Sequence, residues 1–368
     1  FENYYRAVID DRIDAYIVVV YGGDRLDGIA DYIKGLDSPD SLTLSGGIGL
    51  YGEKYPIRLA ADETAELEQR AKNEPGKNAV ALFDAHQVEI TVEGEGQCMI
   101  DLEGKRFTFP AGVPAHVPVQ SFRPWSPEHP TLYPFSVTLG DDTVYSYFAM
   151  RKCSVETDKD GVRRLFLNGK PYFHNGLLDQ GYWPDGLYTA PSDEALVWDI
   201  RTMKNLGFNM LRKHIKIEPM RWYYHCDRLG MLVWQDAVSG GGTDGEYNAW
   251  TTNRKPTLIR STWNKFRDDT AKHFTALGAD DPIYRRDWSR TCDAMVHMLG
   301  GHPSIVTWTL FNEGWGQFDA CDAAERIHAL DPTRPIDATS GWYDQHCGDY
   351  HSVHNYFRPL EIYPDKGP

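Results

Sequence analysis

The spacing of apolar residues changes part-way along the chain. In roughly the first 150 residues, apolar and polar positions tend to alternate. Gln87-Val88-Glu89-Ile90-Thr91-Val92 alternates strictly, as a strand with one buried face does. Ile17-Val18-Val19-Val20, Arg106-Phe107-Thr108-Phe109 and Thr143-Val144-Tyr145-Ser146-Tyr147-Phe148 read as further strands, divided by Gly, Pro and Asp turns. This is the rhythm of an all-β sandwich. A Glu-rich stretch at 61–71 is the exception, a short helix or a loop. The fold of residues 1–72 stays unassigned.

After residue 165 the pattern becomes strand, helix, strand. Ser192 precedes Asp193 and Glu194, a capping residue followed by two acids that suit the positive end of a helix. Leu196, Ile200, Met203 and Leu206 then share one face, and Gly207 supplies a left-handed stop. Pro219 and Pro282 open two more helices, closed by Gly230 and by Gly300-Gly301. A last helix spans 319–330. Between them lie near-continuous apolar runs: Phe208-Asn209-Met210-Leu211, Met231-Leu232-Val233-Trp234, Ser304 to Phe311 and Pro335 to Thr339. With Pro171–Gly176 before them and His351–Phe357 after, six strands are expected. Strands buried on both faces and alternating with helices predict a parallel sheet. A doubly wound sheet and a (β/α)8 barrel both fit that alternation. A complete barrel takes about 250 residues, more than remain after Asn168, so the expected form is an incomplete TIM barrel.

Barrel chemistry sits at the C-terminal ends of the strands. Those ends carry Arg212 and His214, Gln235 and Asp236, Asn312 and Glu313, Trp342, and Asn355 with Tyr356. Such a ring of amides and carboxylates beside aromatics suits a sugar, whose hydroxyls hydrogen-bond and whose C–H faces stack. A carboxyl at the end of a buried strand is desolvated, and that favours its proton-carrying form. Glu313 is therefore the candidate general acid.

Gly301-His302-Pro303-Ser304-Ile305-Val306-Thr307-Trp308, leading to Phe311-Asn312-Glu313, resembles the acid/base signature of glycoside hydrolase family 2, which includes β-galactosidases, β-glucuronidases and β-mannosidases. Other segments agree in order. The run Trp125-Ser126-Pro127-Glu128-His129-Pro130-Thr131-Leu132-Tyr133 and Phe148-Ala149-Met150-Arg151 resemble the close of that family's immunoglobulin-like domain. Leu167-Asn168-Gly169-Lys170-Pro171 resembles its entry to the barrel. Asp199 to Asn209 with Arg212 resembles its first helix and second strand, and Cys226 to Val233 its third strand. The resemblance implies an immunoglobulin-like sandwich at 73–157 and a barrel domain at 158–368; it does not reach the β-rich segment at 1–72. It also implies a retaining exo-β-glycosidase. Glu313 matches the acid/base, Asn312 the ligand of the sugar 2-hydroxyl, Tyr356 the tyrosine beside the nucleophile and Arg212 the strand-two arginine. His214, Asp236, Asp179 and Trp342 are expected around the sugar. The nucleophile, a glutamate on strand seven, is expected beyond Pro368, and Glu361 is not given that role. Three segments depart from the family pattern: Lys213-His214-Ile215-Lys216, Gln235-Asp236 and Leu178 to Gly186. These line the sugar pocket in relatives, so the sugar stays open. The rivals are a non-catalytic carbohydrate-binding protein, or an inactive fragment that keeps the cleft, and a metal hydrolase.

Composition narrows the partners. The 368 residues carry a net charge of −15, which argues against phosphate-driven nucleic-acid binding and against anionic membranes. A glycoside is the expected partner, with a homo-oligomer possible. Ten of the eleven tryptophans follow residue 150, which assigns them to the barrel. Cys98, Cys153, Cys226, Cys292, Cys321 and Cys347 form no C-x-x-C pair, and His346, His351, His354 and Asp349 fit no standard zinc spacing, so no metal or cofactor is expected. Gly47 to Gly52 fits G-x-G-x-x-G, but no helix pattern follows it; a hairpin or bulge is expected instead. The start at Phe1 and the end at Pro368 suggest a piece of a longer protein, in which the cytoplasm is slightly favoured over other compartments.

Overall fold

A computed structural model describes residues 46–48, 80–82, 87–119, 122–240 and 267–355. The expected strand at 17–20, the stretch at 61–71 and Tyr356 lie outside them. The described chain divides into two compact units. One lies within Phe1–Ile100, Lys105–Ser121 and Thr138–Asp142, the other within Asp101–Gly104, Phe122–Val137 and Thr143–Pro368.

The first unit is β-rich. Strand β1 (Gly46–Ile48) pairs in parallel with β2 (Val80–Leu82), so the described part of the glycine run is not a hairpin. Strand β3 (Gln87–Ile90) pairs antiparallel with β6 (Ala115–Pro118), and β4 (Gln97–Leu102) lies beside β5 (Lys105–Pro110). Along β4, Cys98, Ile100 and Leu102 are buried while Gln97 and Met99 are exposed, the period of two that a half-buried strand requires.

In the second unit β7 (Tyr133–Leu139) lies beside β8 (Asp142–Phe148), and β10 (Arg163–Leu167) pairs antiparallel with both β9 (Cys153–Thr157) and β11 (Lys170–Pro171). The main sheet follows, with strands β12 (Gly176–Asp179), β13 (Met210–Lys213), β14 (Leu232–Asp236), β15 (Ile305–Asn312) and β16 (Ile336–Ser340) side by side in sequence order. Every neighbouring pair is parallel. Helices α1 (Asp193–Asn205), α2 (Met220–Leu229), α3 (Ala271–Leu277), α4 (Pro282–Leu299) and α5 (Ala320–Leu330) lie between them in the chain. This is the parallel β/α portion of a TIM barrel.

Three details differ from the sequence expectation. The strand expected at Pro171–Gly176 starts only at Gly176. Asn168 and Gly169 both adopt left-handed backbone, and this tight turn folds Lys170 and Pro171 back onto Leu167 and Phe166. Five of the six expected strands are present among the described residues. Residues 351–355 form no strand and bond to β16 through side chains: Ser352 Oγ donates to Asp337 Oδ2 at 3.0 Å, and His354 Nε2 lies 3.0 Å from Ser340 Oγ. Leu206 is exposed because it caps α1 one residue past the last turn, while Leu196 and Ile200 are buried as expected.

The core lies between the sheet and its helices. All eight residues of β15 are buried, and Phe311 stacks on Trp288 of α4 at 4.4 Å. Ser192 accepts a hydrogen bond from the Ala195 N–H to start α1, and Gly230 ends α2 with a left-handed residue. At the N-terminal end of the sheet, the buried Asp227 carboxylate takes three partners. It accepts from Tyr147 Oη (2.6 Å) and from the Ser304 N–H (2.9 Å), and lies 2.6 Å from His302 Nδ1. The fully buried Trp125 donates to the Asp227 carbonyl at 2.8 Å. This network ties Trp125 and Tyr147 to the sheet. Replacing Asp227 with alanine would leave the buried Ser304 N–H without its acceptor and take the shared carboxylate from Tyr147 and His302, which lie 3.3 Å from each other. We expect Asp227→Ala to cost about 3 kcal/mol, read as a lower denaturant midpoint at unchanged slope; an unchanged midpoint would reject this role.

Candidate functional site

The parallel sheet brings its candidate residues together at the C-terminal ends of the strands. Arg212 is the penultimate residue of β13, Asp236 ends β14, Asn312 ends β15 and Ser340 ends β16. The Arg212 side chain spans all of these ends. Its Nε and Nη2 donate to the two oxygens of Asp236 at 2.9 and 3.0 Å, Nη2 also donates to Asn312 Oδ1 at 3.0 Å, and Nη1 donates to Ser340 Oγ at 2.9 Å. Burial opposes the charge of Arg212. Asp236 beside it, with Asp337 and Glu313 further off, nonetheless lifts its pKa above the usual arginine value. His214 Nδ1 lies 2.8 Å from Asp236 Oδ2, so one carboxylate serves both basic side chains. Asp337, on β16, is fully buried, and burial raises its pKa against the pull of Arg212. Its Oδ1 finds no hydrogen-bond partner.

Glu313 follows β15 in left-handed backbone (φ 52°), and Gly314 continues in that region (φ 76°). The turn is pinned by the Glu313 N–H donating to the Ser340 carbonyl at 3.0 Å and by the Trp315 N–H donating to the Asn312 carbonyl. Gly314 is required twice over: a Cβ there would be strained, and it would lie 2.5 Å from the Tyr343 ring. Glu313 Oε1 lies 2.8 Å from His354 Nδ1. A cleft of about 470 Å³ opens here, lined by Leu178, Gln180, Arg212, His214, Asn312, Glu313, His354 and Asn355.

Of the residues singled out from the sequence, Arg212, His214, Asn312 and Glu313 line this cleft, and Asp236 stands directly behind Arg212 and His214. Asp179 is engaged elsewhere. Its Oδ2 pairs with the buried Lys213 at 2.9 Å and its Oδ1 accepts from the Gly181 N–H, while Leu178 and Gln180 reach the cleft. Trp342 is half-buried beyond β16 and is not among the lining residues. Tyr356 lies outside the described residues. Sequence reasoning missed the parts played by His354, Ser340 and Asp337. Ser340 was open to the same strand-end rule that found Asn312. His354 stood in view, two residues before Tyr356, but was weighed only as a metal ligand. The other members of that histidine group are bonded otherwise: His351 and His346 to Asp344, at 2.8 and 3.4 Å, and Asp349 to the Ile336 N–H. Among the described residues no cluster of three or more His, Cys, Asp or Glu side chains could hold a metal ion, and no helix is long and apolar enough to cross a membrane.

Comparison with known proteins gives this geometry a context. The model of the glycosyl hydrolases family 2 TIM barrel domain matches residues 160–364, and a second model, described as glycosyl hydrolases family 2, matches 57–151. The second palm domain of Cas10/Cmr2 also matches, at 27–81, which falls almost wholly outside the described residues. A β-galactosidase of Lactococcus lactis is 28% identical over 243 residues, 62% of this chain and 20% of that protein. A β-galactosidase of Streptococcus thermophilus is 24% identical over 253 residues, 67% of this chain and 21% of that protein. The chain thus spans about a fifth of the length of these curated relatives. A family 2 β-galacturonidase structure from Eisenbergiella tayi overlaps 68% of this chain and 42% of its own, at 19% identity and a TM-score of 0.48. With a family model covering more than half of its length, the chain belongs to glycosyl hydrolase family 2.

Proposed function

We propose that the chain carries the acid/base half of a retaining exo-β-glycosidase, with Glu313 as the proton-transferring group. The observation that carries this is the placing of Glu313 beside Asn312 at the mouth of a wholly buried strand, in a cleft also lined by Arg212, which Asp236 holds. In the first step the Glu313 carboxyl gives its proton to the glycosidic oxygen as the C–O bond breaks, and a second carboxylate bonds to the anomeric carbon. In the second step Glu313, now a carboxylate, takes a proton from water as the water oxygen displaces that carboxylate and frees the sugar. Retaining enzymes hold the two carboxyls about 5–5.5 Å apart. On this reading the second is a glutamate on a strand following the residues described. The division into 1–72, an immunoglobulin-like domain at 73–157 and a barrel domain at 158–368 belongs to the same proposal; the family matches at 57–151 and 160–364 support the boundary near 158, while the first of them begins ahead of residue 73. The two relatives named as β-galactosidases make β-galactosides the first substrates to test.

Arg212 acts in this scheme by orienting other groups. Its Nη2 is bonded to Asn312 Oδ1, so the Asn312 amide must turn its NH2 the other way, and we assign that NH2 to the sugar 2-hydroxyl. Asp236 neutralises the Arg212 charge, which makes the pair a poor counter-ion for an anionic sugar.

Two outcomes are expected in the full-length protein that bears this chain. Glu313→Gln should lower turnover of alkyl β-glycosides by roughly 10²–10⁴-fold and of dinitrophenyl glycosides far less. Undiminished alkyl-glycoside turnover would remove Glu313 from the chemistry, and glycoside binding without turnover in the unaltered protein would favour a carbohydrate-binding role. Asn312→Ala should cut kcat/KM about 10- to 100-fold on a normal glycoside, as loss of a 2-hydroxyl bond that strengthens in the transition state would. On the matching 2-deoxyglycoside it should cost little. Equal losses on both would show that Asn312 does not meet the 2-hydroxyl.

A further inference from the structure

His354 is absorbed neither by the strand pattern nor by the mechanism above, yet it touches the acid/base directly. Nδ1 lies 2.8 Å from Glu313 Oε1, and Nε2 lies 3.0 Å from Ser340 Oγ. Ser340 Oγ already accepts from Arg212 Nη1, so its own hydrogen is available to donate. That hydrogen has two acceptors in reach, His354 Nε2 at 3.0 Å and Ser352 Oγ at 3.4 Å, and Arg212 Nη1, which can only donate, also lies 3.4 Å from Nε2. A guanidinium donor facing Nε2 favours Nε2 as an acceptor, with the ring hydrogen on Nδ1, facing Glu313. The ring position is equally constrained. It packs on the backbone at Gly341 (φ 88°), where an added Cβ would lie 2.4 Å from His354 Cγ. The order Arg212, Ser340, His354, Glu313 links the ends of β13 and β16 to the proton-transferring carboxyl.

We propose that His354 is a positioning residue for Glu313: its Nδ1–H holds Oε1 and so fixes the orientation in which the carboxyl exchanges its proton with the glycosidic oxygen and then with water. The inference rests on Glu313 being the acid/base. A donor to the carboxylate stabilises the charged form. Removing it should raise the Glu313 pKa and move the alkaline limb of the kcat/KM profile, which reports the acid in the free enzyme, to higher pH. Among the described residues, Arg212 from β13 reaches His354 Nε2 at 3.4 Å and senses the Glu313 charge; Asp236 from β14 and Asp337 from β16 act on Arg212 in turn, with His214 on the far side of Asp236.

The test compares His354→Leu, His354→Asn and His354→Gln in the full-length protein across pH, using a series of aryl and alkyl β-glycosides. An asparagine amide can place its N–H near the Nδ1 position, whereas a glutamine reaches the Nε2 position. His354→Leu should lower kcat/KM about 10- to 100-fold on poor leaving groups, a share of the roughly 10²–10⁴-fold that a positioned acid supplies. It should barely affect dinitrophenyl glycosides, and it should shift the alkaline limb upward. His354→Asn should restore most of the loss and His354→Gln little of it. A uniform loss across leaving groups with an unmoved pH profile, or equal rescue by asparagine and glutamine, would overturn the positioning role. Glu313→Ala, assayed in parallel with and without azide, separates the two ideas. If it behaves as an acid/base variant, with azide rescue and glycosyl azide as product, while His354→Leu is silent, only the role of His354 falls. If Glu313→Ala keeps normal kinetics, the assignment of Glu313 falls and the role of His354 falls with it.

Discussion

The site is organised by one ion pair. The Arg212 guanidinium is clamped in bidentate fashion by Asp236 and extends from there to Asn312 and Ser340, so a single planar group joins the ends of four adjacent strands. Its rigid fork suits this task in a way a lysine ammonium does not. Removing either member would strand a largely buried charge, which typically costs about 3–5 kcal/mol. The pair therefore secures the relative positions of the β14, β15 and β16 ends while it secures the residues that face the cleft. Catalytic groups need such pre-set positions, since an error of about 1 Å can cost orders of magnitude in rate. The paired Arg212 also leaves little net positive charge at the cleft floor, an electrostatic character suited to neutral sugars.

Much of this was legible along the chain because local chemistry and global packing agree there. Ser192 caps its helix, Gly230 ends the next, and the uninterrupted apolar run ending in Phe311-Asn312-Glu313 is the fully buried strand β15. Strand parity explains where the reading of Asp179 diverged. In the register of β12 on β13, Leu178 lies opposite Arg212 and Asp179 opposite Lys213. Arg212 faces the cleft, so Lys213 and its neighbour Asp179 lie on the alternate positions, and the two bond to each other. That parity was available in the sequence once Arg212 had been placed. The Asn168-Gly169 turn was likewise written in its residue types but was read as part of a strand approach. The contact of His354 with Glu313 was not legible. It spans 41 positions and depends on how residues 351–355 return to the end of β16, which no local pattern encodes.

The left-handed backbone of Glu313 has an evolutionary side. An L-residue in that conformation gives up roughly 1–2 kcal/mol that glycine would not. The fold accepts this at the one position whose carboxyl faces the cleft beside Asn312, and uses the cheaper residue immediately afterwards, at Gly314. Stability alone therefore pulls position 313 toward glycine, and under the proposed function it is the use of the carboxyl that opposes it. In a lineage released from selection for hydrolysis, this position would drift early while the Arg212 clamp, which the fold still requires, would persist. A glycine beside an intact clamp would then mark a retired member of the family from its sequence alone.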